Sequence, residues 1–383
     1  MRVCMFGTYE AGYDRNQVLI RGMREAGIEV IECHVPLWEK MRYKTSALKG
    51  PGQYVALLAR LVLSYAKLGL RYLVAPPHDV VLVGYLGHFD VFLARGLTWL
   101  RRKPLVFDAF VSLYDTSVVD REVFHRNSAA ARLLKQVDRW SCKLANLVLL
   151  DTNEHIQYFC EEFDLPRPKF QRVLVGADES YATDESVSRD PDRFVVLHYS
   201  KFAPLHGMPY ILDAANLLRD KTDIVLRIVG GGQTFESSKA YAEQMGLQNL
   251  ELIPWLEPKE LRRAIREAHV CLGIFGDTPK ARRVIPNKVY QCLAGGAAVV
   301  TGRSPAAEEL LVDHQHALLC EMASGQAIAN AILELYESPT LRQRLGDDGA
   351  KLYRERCTPR IIVETELLPR LRELVSPVDS TRT

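Results

Sequence analysis

The segment KARRVIPNKVYQCLAGG, residues 280–296, carries side chains able to hold a phosphate and its neighbours. Its pattern predicts a helix starting near Pro286 and stopping at Gly295 and Gly296. A proline in the first turn leaves the N–H groups of Asn287 and Lys288 unpaired and directed outward. An anion placed there meets donors, a favourable dipole and a lysine. Gln291 follows one turn later on the same face, within reach of a ribose-like diol. Arg283 precedes the helix. Read as structure alone, the segment is an ordinary capped helix.

Three further loops fit the same chemistry. HYSKFAPLHG, residues 198–207, places Lys201 and His206 between a strand and a helix start, where two such groups can hold a diphosphate without a metal. RIVGGGQ, residues 227–233, puts Gly231 and Gly232 after a strand, although any tight turn can look like this. FGTYEAGYDRN, residues 6–16, has Gly7 and Gly12 where the backbone can approach a ligand at a helix start, or simply make a sharp turn.

These loops need elements to hold them. Apolar, β-branched runs recur at 2–6, 28–33, 79–85, 104–107 and 146–151, and again at 193–199, 224–230, 250–255, 269–275, 297–301 and 316–320. Helical periodicity fills the intervals. Strands without alternation require cover on both faces, so the sheets are expected to be parallel. Alternating strands and helices give two doubly wound α/β domains, with a cleft between the carboxyl ends of their sheets. DESVSRDPD, residues 184–192, is polar and aperiodic and reads as the linker. The expected layout is residues 1–183, a linker at 184–192, residues 193–357, and a C-terminal helix and tail at 358–383.

The 383 residues are 48% hydrophobic and 25% charged, with a net charge of +2, which gives no reason to expect nucleic-acid binding. Eight scattered cysteines show no metal-ligand spacing and read as thiols of a reducing compartment. MRVCMFGTYE enters a strand with no leader pattern, and no apolar run is long enough to span a bilayer. A cytoplasmic protein is therefore expected. From Lys40 to His78 there is no acidic residue but there are seven basic ones. Gln53, Arg60, Ser64, Lys67 and Arg71 share one face of a predicted helix. Residues 40–71 thus suit an anionic membrane surface, or a domain-packing helix with a basic edge.

The order of VLHYSKFAPLHGMPYILDAA, LRIVGGGQ, VIPNKVYQCLAGGAAVVTG and AAEELL resembles the donor-binding half of family 4 glycosyltransferases. The first half is similar only in its opening loop, strand order and VGADESY. The resemblance implies a GT-B fold whose C-terminal helix crosses back, and a retaining, metal-independent transferase without a cofactor. A UDP- or GDP-sugar would be its donor. Polysaccharide or cell-envelope assembly on a lipid-linked, glycan or small-molecule acceptor would be its setting. It places Lys201 and His206 on the diphosphate, where the family has arginine and lysine. It places Gln291 on the ribose and Arg283 on the donor sugar, where the family usually has two glutamates eight residues apart. A group assisting the acceptor is expected from the first domain, with Asp108 chosen ahead of Asp115 and His88. The competing reading is a non-catalytic shell that binds a nucleotide sugar or a partner enzyme.

Overall fold

In the computed structural model, residues 1–37, 51–182 and 187–376 are described, with only the backbone over 51–58. The expected basic residues Lys40, Arg42, Lys44 and Lys49, the side chain of Gln53, part of the linker and the last seven residues lie outside them.

The first half forms a six-stranded sheet of order β2-β1-β3-β4-β5-β6. Its strands are β1 (Arg2–Gly7), β2 (Glu29–His34), β3 (Val80–Val83), β4 (Leu105–Asp108), β5 (Leu147–Leu150) and β6 (Phe170–Arg172). All pairings are parallel. Parallel strands need crossovers, and α1 (Asp14–Glu25), α2 (Pro51–Leu73), α3 (Asp90–Arg101), α4 (Ala129–Leu144) and α5 (Asn153–Phe163) supply them. Strand β6 was not expected. Its FQR carries no β-branched run, and backbone pairing with Val148–Leu150 makes it a strand.

The second half repeats the plan with order β12-β11-β10-β7-β8-β9, again parallel. Here β7 is Phe194–Ser200, β8 Ile224–Gly230, β9 Leu250–Ile253, β10 Val270–Leu272, β11 Ala298–Gly302 and β12 Leu318–Cys320. The helices are α6 (Met208–Leu217), α7 (Phe235–Met245), α8 (Pro258–Glu267), α9 (Asn287–Ala294), α10 (Pro305–Glu308), α11 (Gly325–Glu337) and α12 (Pro339–Leu352). The order is thus one doubly wound sheet per half, as the alternation requires.

The two halves share a core. Val3, Met5 and Leu149 of the first sheet belong to the same buried cluster as Leu197, Cys271 and Val299 of the second. The segment Pro359–Val375 completes it. It crosses back onto the first half and contributes Ile362, Val363, Leu367 and Leu371. Glu366 ion-pairs with Arg172 at 2.6 Å and accepts the Leu174 N–H at 2.7 Å. Gly22 of α1 lets this segment sit flush, since a Cβ there would lie 2.1 Å from the Pro359 carbonyl oxygen.

Helix α2 meets the expectation in part, with Arg60, Lys67 and Arg71 exposed. Ser64, which was placed on an outer basic face, is buried, and Leu68 and Tyr72 point with it into the core. The outward side carries apolar Leu63 and Leu70 beside Lys67. Covering the first sheet decides the orientation, and the helix must then expose whatever lies opposite.

Arg15, at the start of α1, has no exposed surface and neither has Asp108. Its Nε and Nη2 bond both Asp108 carboxylate oxygens at 2.9–3.2 Å, and Nη1 donates to the Val173 and Leu174 carbonyls at 2.8 and 2.7 Å. This corrects the expectation for Asp108. Its carboxylate is enclosed as the counter-ion of Arg15 and offers no open oxygen to an acceptor. Breaking such a pair from one side strands a buried charge and costs about 3–5 kcal/mol. Asp108→Leu and Arg15→Met should each lose that much stability in urea denaturation, while the double variant loses less than either. A stable Asp108→Leu protein lacking only turnover would contradict this assignment.

Candidate functional site

The cleft is built from loops at the carboxyl ends of both sheets. On the second-half side, α9 begins after Pro286, and among the described residues none caps it through a side chain. Its Lys288 is buried, with Nζ 3.5 Å from His198 Nε2 and 3.5 Å from the Gly273 carbonyl oxygen. Burial pushes the Lys288 pKa down to about 7. His198 and His206 lie with their rings 6.2 Å apart. Burial, and then the charge of Lys288, hold His206 well below the usual histidine range. His206 Nδ1 accepts the Ala203 N–H at 3.2 Å. His206 is therefore a neutral imidazole, because burial and then the charge of Lys288 disfavour the cation, and of the two expected roles the proton-donating one remains. Lys201 is exposed and reaches across to the first half, 5.9 Å from the Tyr13 ring centroid.

The glycine loops divide by role. A Cβ on Gly232, at φ 151°, would meet the Lys201 carbonyl oxygen at 1.9 Å, so that glycine lets the loop press against the Lys201 segment. Gly231 and Gly12 have open space around them. Gly7, at φ 141°, faces the buried carboxylate of Asp90, which accepts the Thr8 N–H at 2.6 Å and the Tyr65 hydroxyl at 2.7 Å. The anion that this loop holds is thus a side chain of its own domain.

Several polar contacts cross the cleft, and others brace its second-half side. Asp14, at the start of α1, accepts from Gln291 Nε2 at 2.8 Å and from Asn287 Nδ2 at 3.4 Å. Burial raises the Asp14 pKa, and the Asn287 bond opposes it. Tyr199 donates its hydroxyl to Gln291 Oε1 at 2.7 Å, so both ends of that amide are engaged. Arg283 ion-pairs with Asp115 at 2.6 Å, and its guanidinium lies 3.8 Å from the centre of the Tyr158 ring. Thr152 donates to the Arg283 carbonyl oxygen at 2.5 Å. Glu309 accepts the Asn153 and Glu154 N–H groups at 2.7 and 3.1 Å, sitting on the N-terminus of α5, where a carboxylate is favoured.

The structure therefore brings Lys201, His206, Asn287, Lys288 and Gln291 to one side of the cleft. It turns Arg283 onto Asp115 instead of leaving it open to a sugar. Asp115, the second acceptor-side candidate, is occupied by that pair. His88, the third, is buried beneath the cleft, with Nε2 3.0 Å from the Val111 carbonyl oxygen and 3.3 Å from Asp138. Burial lowers its pKa to about 4. Asp14, His198, Tyr199 and Tyr158 were not singled out from the sequence. A further pair was missed in DTNEH, where Asp151 Oδ1 binds His155 Nδ1 at 2.7 Å and leaves the buried Nε2 without a partner. The i,i+4 spacing at the end of an evident strand was the available signal. Among the described residues no cluster of three or more His, Cys, Asp or Glu could hold a metal ion.

Comparison with known proteins gives this geometry a context. No curated protein sequence matches the chain. Among solved structures, sucrose-phosphate synthase from Thermosynechococcus elongatus superposes with a TM-score of 0.71 at 13% identity, over 98% of this chain and 100% of that one. Anabaena HepE in complex with UDP-glucose gives a TM-score of 0.67 at 14% identity, covering 98% and 99%. The pneumococcal O-GlcNAc transferase GtfA, in complex with UDP and GlcNAc, gives 0.59 at 14% identity, covering 78% and 57%. Residues 181–352 match the family model for glycosyl transferases group 1. The chain has the GT-B fold of these structures, and the match to the group 1 model lies within its second half.

Proposed function

We propose that the protein is a glycosyltransferase that moves a sugar from a nucleoside diphosphate donor, UDP- or GDP-linked, without a metal and with retention. Its acceptor is a lipid-linked glycan or related hydroxyl compound of cell-envelope or polysaccharide assembly. Residues 1–183 form the acceptor side, and residues 193–357 the donor side. The observation that carries this reading is the convergence of Lys201, buried Lys288 and the uncapped start of α9 on one wall of the cleft. Donors and positive charge fixed there suit a leaving diphosphate. The proximity of UDP-sugar complexes in structures of the same fold supports the donor class.

Ribose hydroxyls can replace Asp14 and Tyr199 on Gln291, because a diol both donates and accepts. Arg283 acts from its pair with Asp115, bracing the cleft near the sugar, and its charge gives no preference for an acidic donor. A non-catalytic shell is the second reading. It is favoured by the engagement of Gln291 and Arg283 within the protein itself.

Calorimetric titration with UDP, GDP and their sugar conjugates separates the two. One nucleotide should bind, and Lys201→Ala should weaken it roughly 10- to 100-fold, the worth of a charge-assisted bond. Release of free nucleotide diphosphate from the donor then marks a transferase. Binding without release, with and without a lipid-linked acceptor, marks the shell.

The Lys288 pKa makes a second prediction. At about 7 it lies below the roughly 10.4 of an unfolded lysine. The unfolded chain therefore binds the extra proton between these values, and this group's contribution to stability rises with pH across that window. A diphosphate requires the ammonium, so donor binding should take up a proton. Its affinity should fall by up to about tenfold per pH unit above pH 7. Lys288→Met should flatten that slope. A wild-type affinity constant from pH 7 to 9 would remove Lys288 from the diphosphate.

A further inference from the structure

The first sheet is covered on one side by α2, α3 and α4, whose inner residues Leu68, Tyr72, Val91, Ala94 and Cys142 join one buried cluster. Their outer sides are unlike those of an ordinary solvated layer. On α2, Leu63 and Leu70 are 70% and 66% exposed, and Val74 follows one turn later. On α3, Phe92 and Trp99 lie seven residues apart on one stripe, with Trp99 77% exposed. On α4, Leu133 and Trp140 repeat that spacing, with Trp140 51% exposed. Three neighbouring helices thus present outward apolar stripes, an arrangement that marks an interaction surface.

The charge around the stripes has one sign. The carboxylates within the three helices are Asp90 and Asp138, and both are buried. The outer cations include Lys67, Arg102, Arg132 and Lys143. At the far edge, Glu162 and Asp164 are paired with Lys135 and Arg139. Where α3 ends, a cavity of about 560 Å³ is lined by Arg95, Trp99, Arg102, Lys103 and Asn146. The cations on this open, mixed lining suit a phosphate headgroup, and Trp99 and Leu100 suit the adjoining acyl boundary. A second copy of the same face would set like charges against each other, which disfavours self-association. No helix among the described residues is long and apolar enough to cross a membrane.

We infer that the outer face of α2, α3 and α4 docks on an anionic phospholipid bilayer, with Trp99 and Trp140 at headgroup level and Arg102 and Lys103 on lipid phosphates. Exposed tryptophans beside basic residues are the side chains that settle at that interface. The surface extends the basic stripe expected over residues 40–71, because apolar Leu63, Leu70 and Val74 are exposed beside Arg60, Lys67 and Arg71 and the face continues onto α3 and α4. Helix α3 starts at the cleft end of β3, next to exposed Phe89, so the docked protein holds its acceptor-side rim at the bilayer. Delivery of a lipid-linked acceptor there rests on the transferase reading. The docking does not.

The test is cosedimentation of the full chain with phosphatidylcholine vesicles, with and without about one-third phosphatidylglycerol, alongside nucleotide titration of the same samples. Binding is expected with the anionic vesicles and not with phosphatidylcholine alone. Arg102→Gln with Lys103→Gln should weaken it about 25-fold, at about fivefold per cation. In a Trp38→Phe, Trp255→Phe protein, the remaining tryptophan emission should shift to the blue on anionic vesicles, and Trp99→Ser should reduce that shift. Both sets of variants should keep the thermal transition. Absence of vesicle binding, equal binding to neutral vesicles, or binding untouched by either set overturns the inference. So does a dimer in sedimentation velocity that Trp99→Asp dissolves. Nucleotide binding that survives such a failure leaves the transferase reading intact, and its loss with vesicle binding retained fails that reading alone.

Discussion

A buried guanidinium needs partners for its N–H groups and a counter-charge, and Arg15 finds them in two other stretches of chain. Asp108 closes β4, Val173 and Leu174 follow β6, and Arg15 itself begins α1. The first half cannot satisfy that group unless the strand ends and the α1 start converge. The convergence fixes the wall of the cleft. It also aims the first residue of α1 across the cleft, so that Asp14 meets Asn287 and Gln291 on the other side. Glu366 takes the Leu174 N–H beside it and draws the C-terminal segment into the same arrangement.

The two halves are joined in two different ways. Beneath the cleft the contact is apolar and continuous, through Leu174, Val175, Tyr290 and Tyr353. At the cleft itself the contacts are hydrogen bonds and ion pairs, such as Arg283 with Asp115 and Lys280 with Thr116. Apolar contact resists opening because it would expose area to water. Polar contacts can be exchanged one at a time for water or for a hydroxyl-bearing ligand, with little change in the number of bonds. The apolar base is therefore the more costly contact to open and the polar rim the less costly one.

Much of the scaffold was legible because parallel strands announce themselves. VVLV, LVFD and LVLL are buried on both faces and can be little else. FQR could not be read, since its pairing comes from β5 and not from its own residues. The donor-side loops were legible for the same reason as the strands they follow. What local pattern cannot give is the partner across a gap. Arg283 looked available to a ligand because the resemblance sets it at the donor sugar, and Asp115, which pairs with it, lies 168 residues away. Asp108 looked open because a strand end usually is, and the arginine that closes it sits 93 residues earlier. His206 looked cationic until burial and its neighbour Lys288 were placed around it.

The C-terminal crossover has a consequence for how the chain is made. The face of the first sheet that carries Val3, Met5 and Leu149 is completed by Ile362, Val363 and Leu367, which follow both sheets along the chain. Until they are made the nascent first half carries an uncovered apolar face, at a time when its own strands are ready to pair. Contacts spanning the whole chain close late and leave such surface open to aggregation. The crossover helices thus close the first half only after the second has been made, so folding of the two halves is coupled in time.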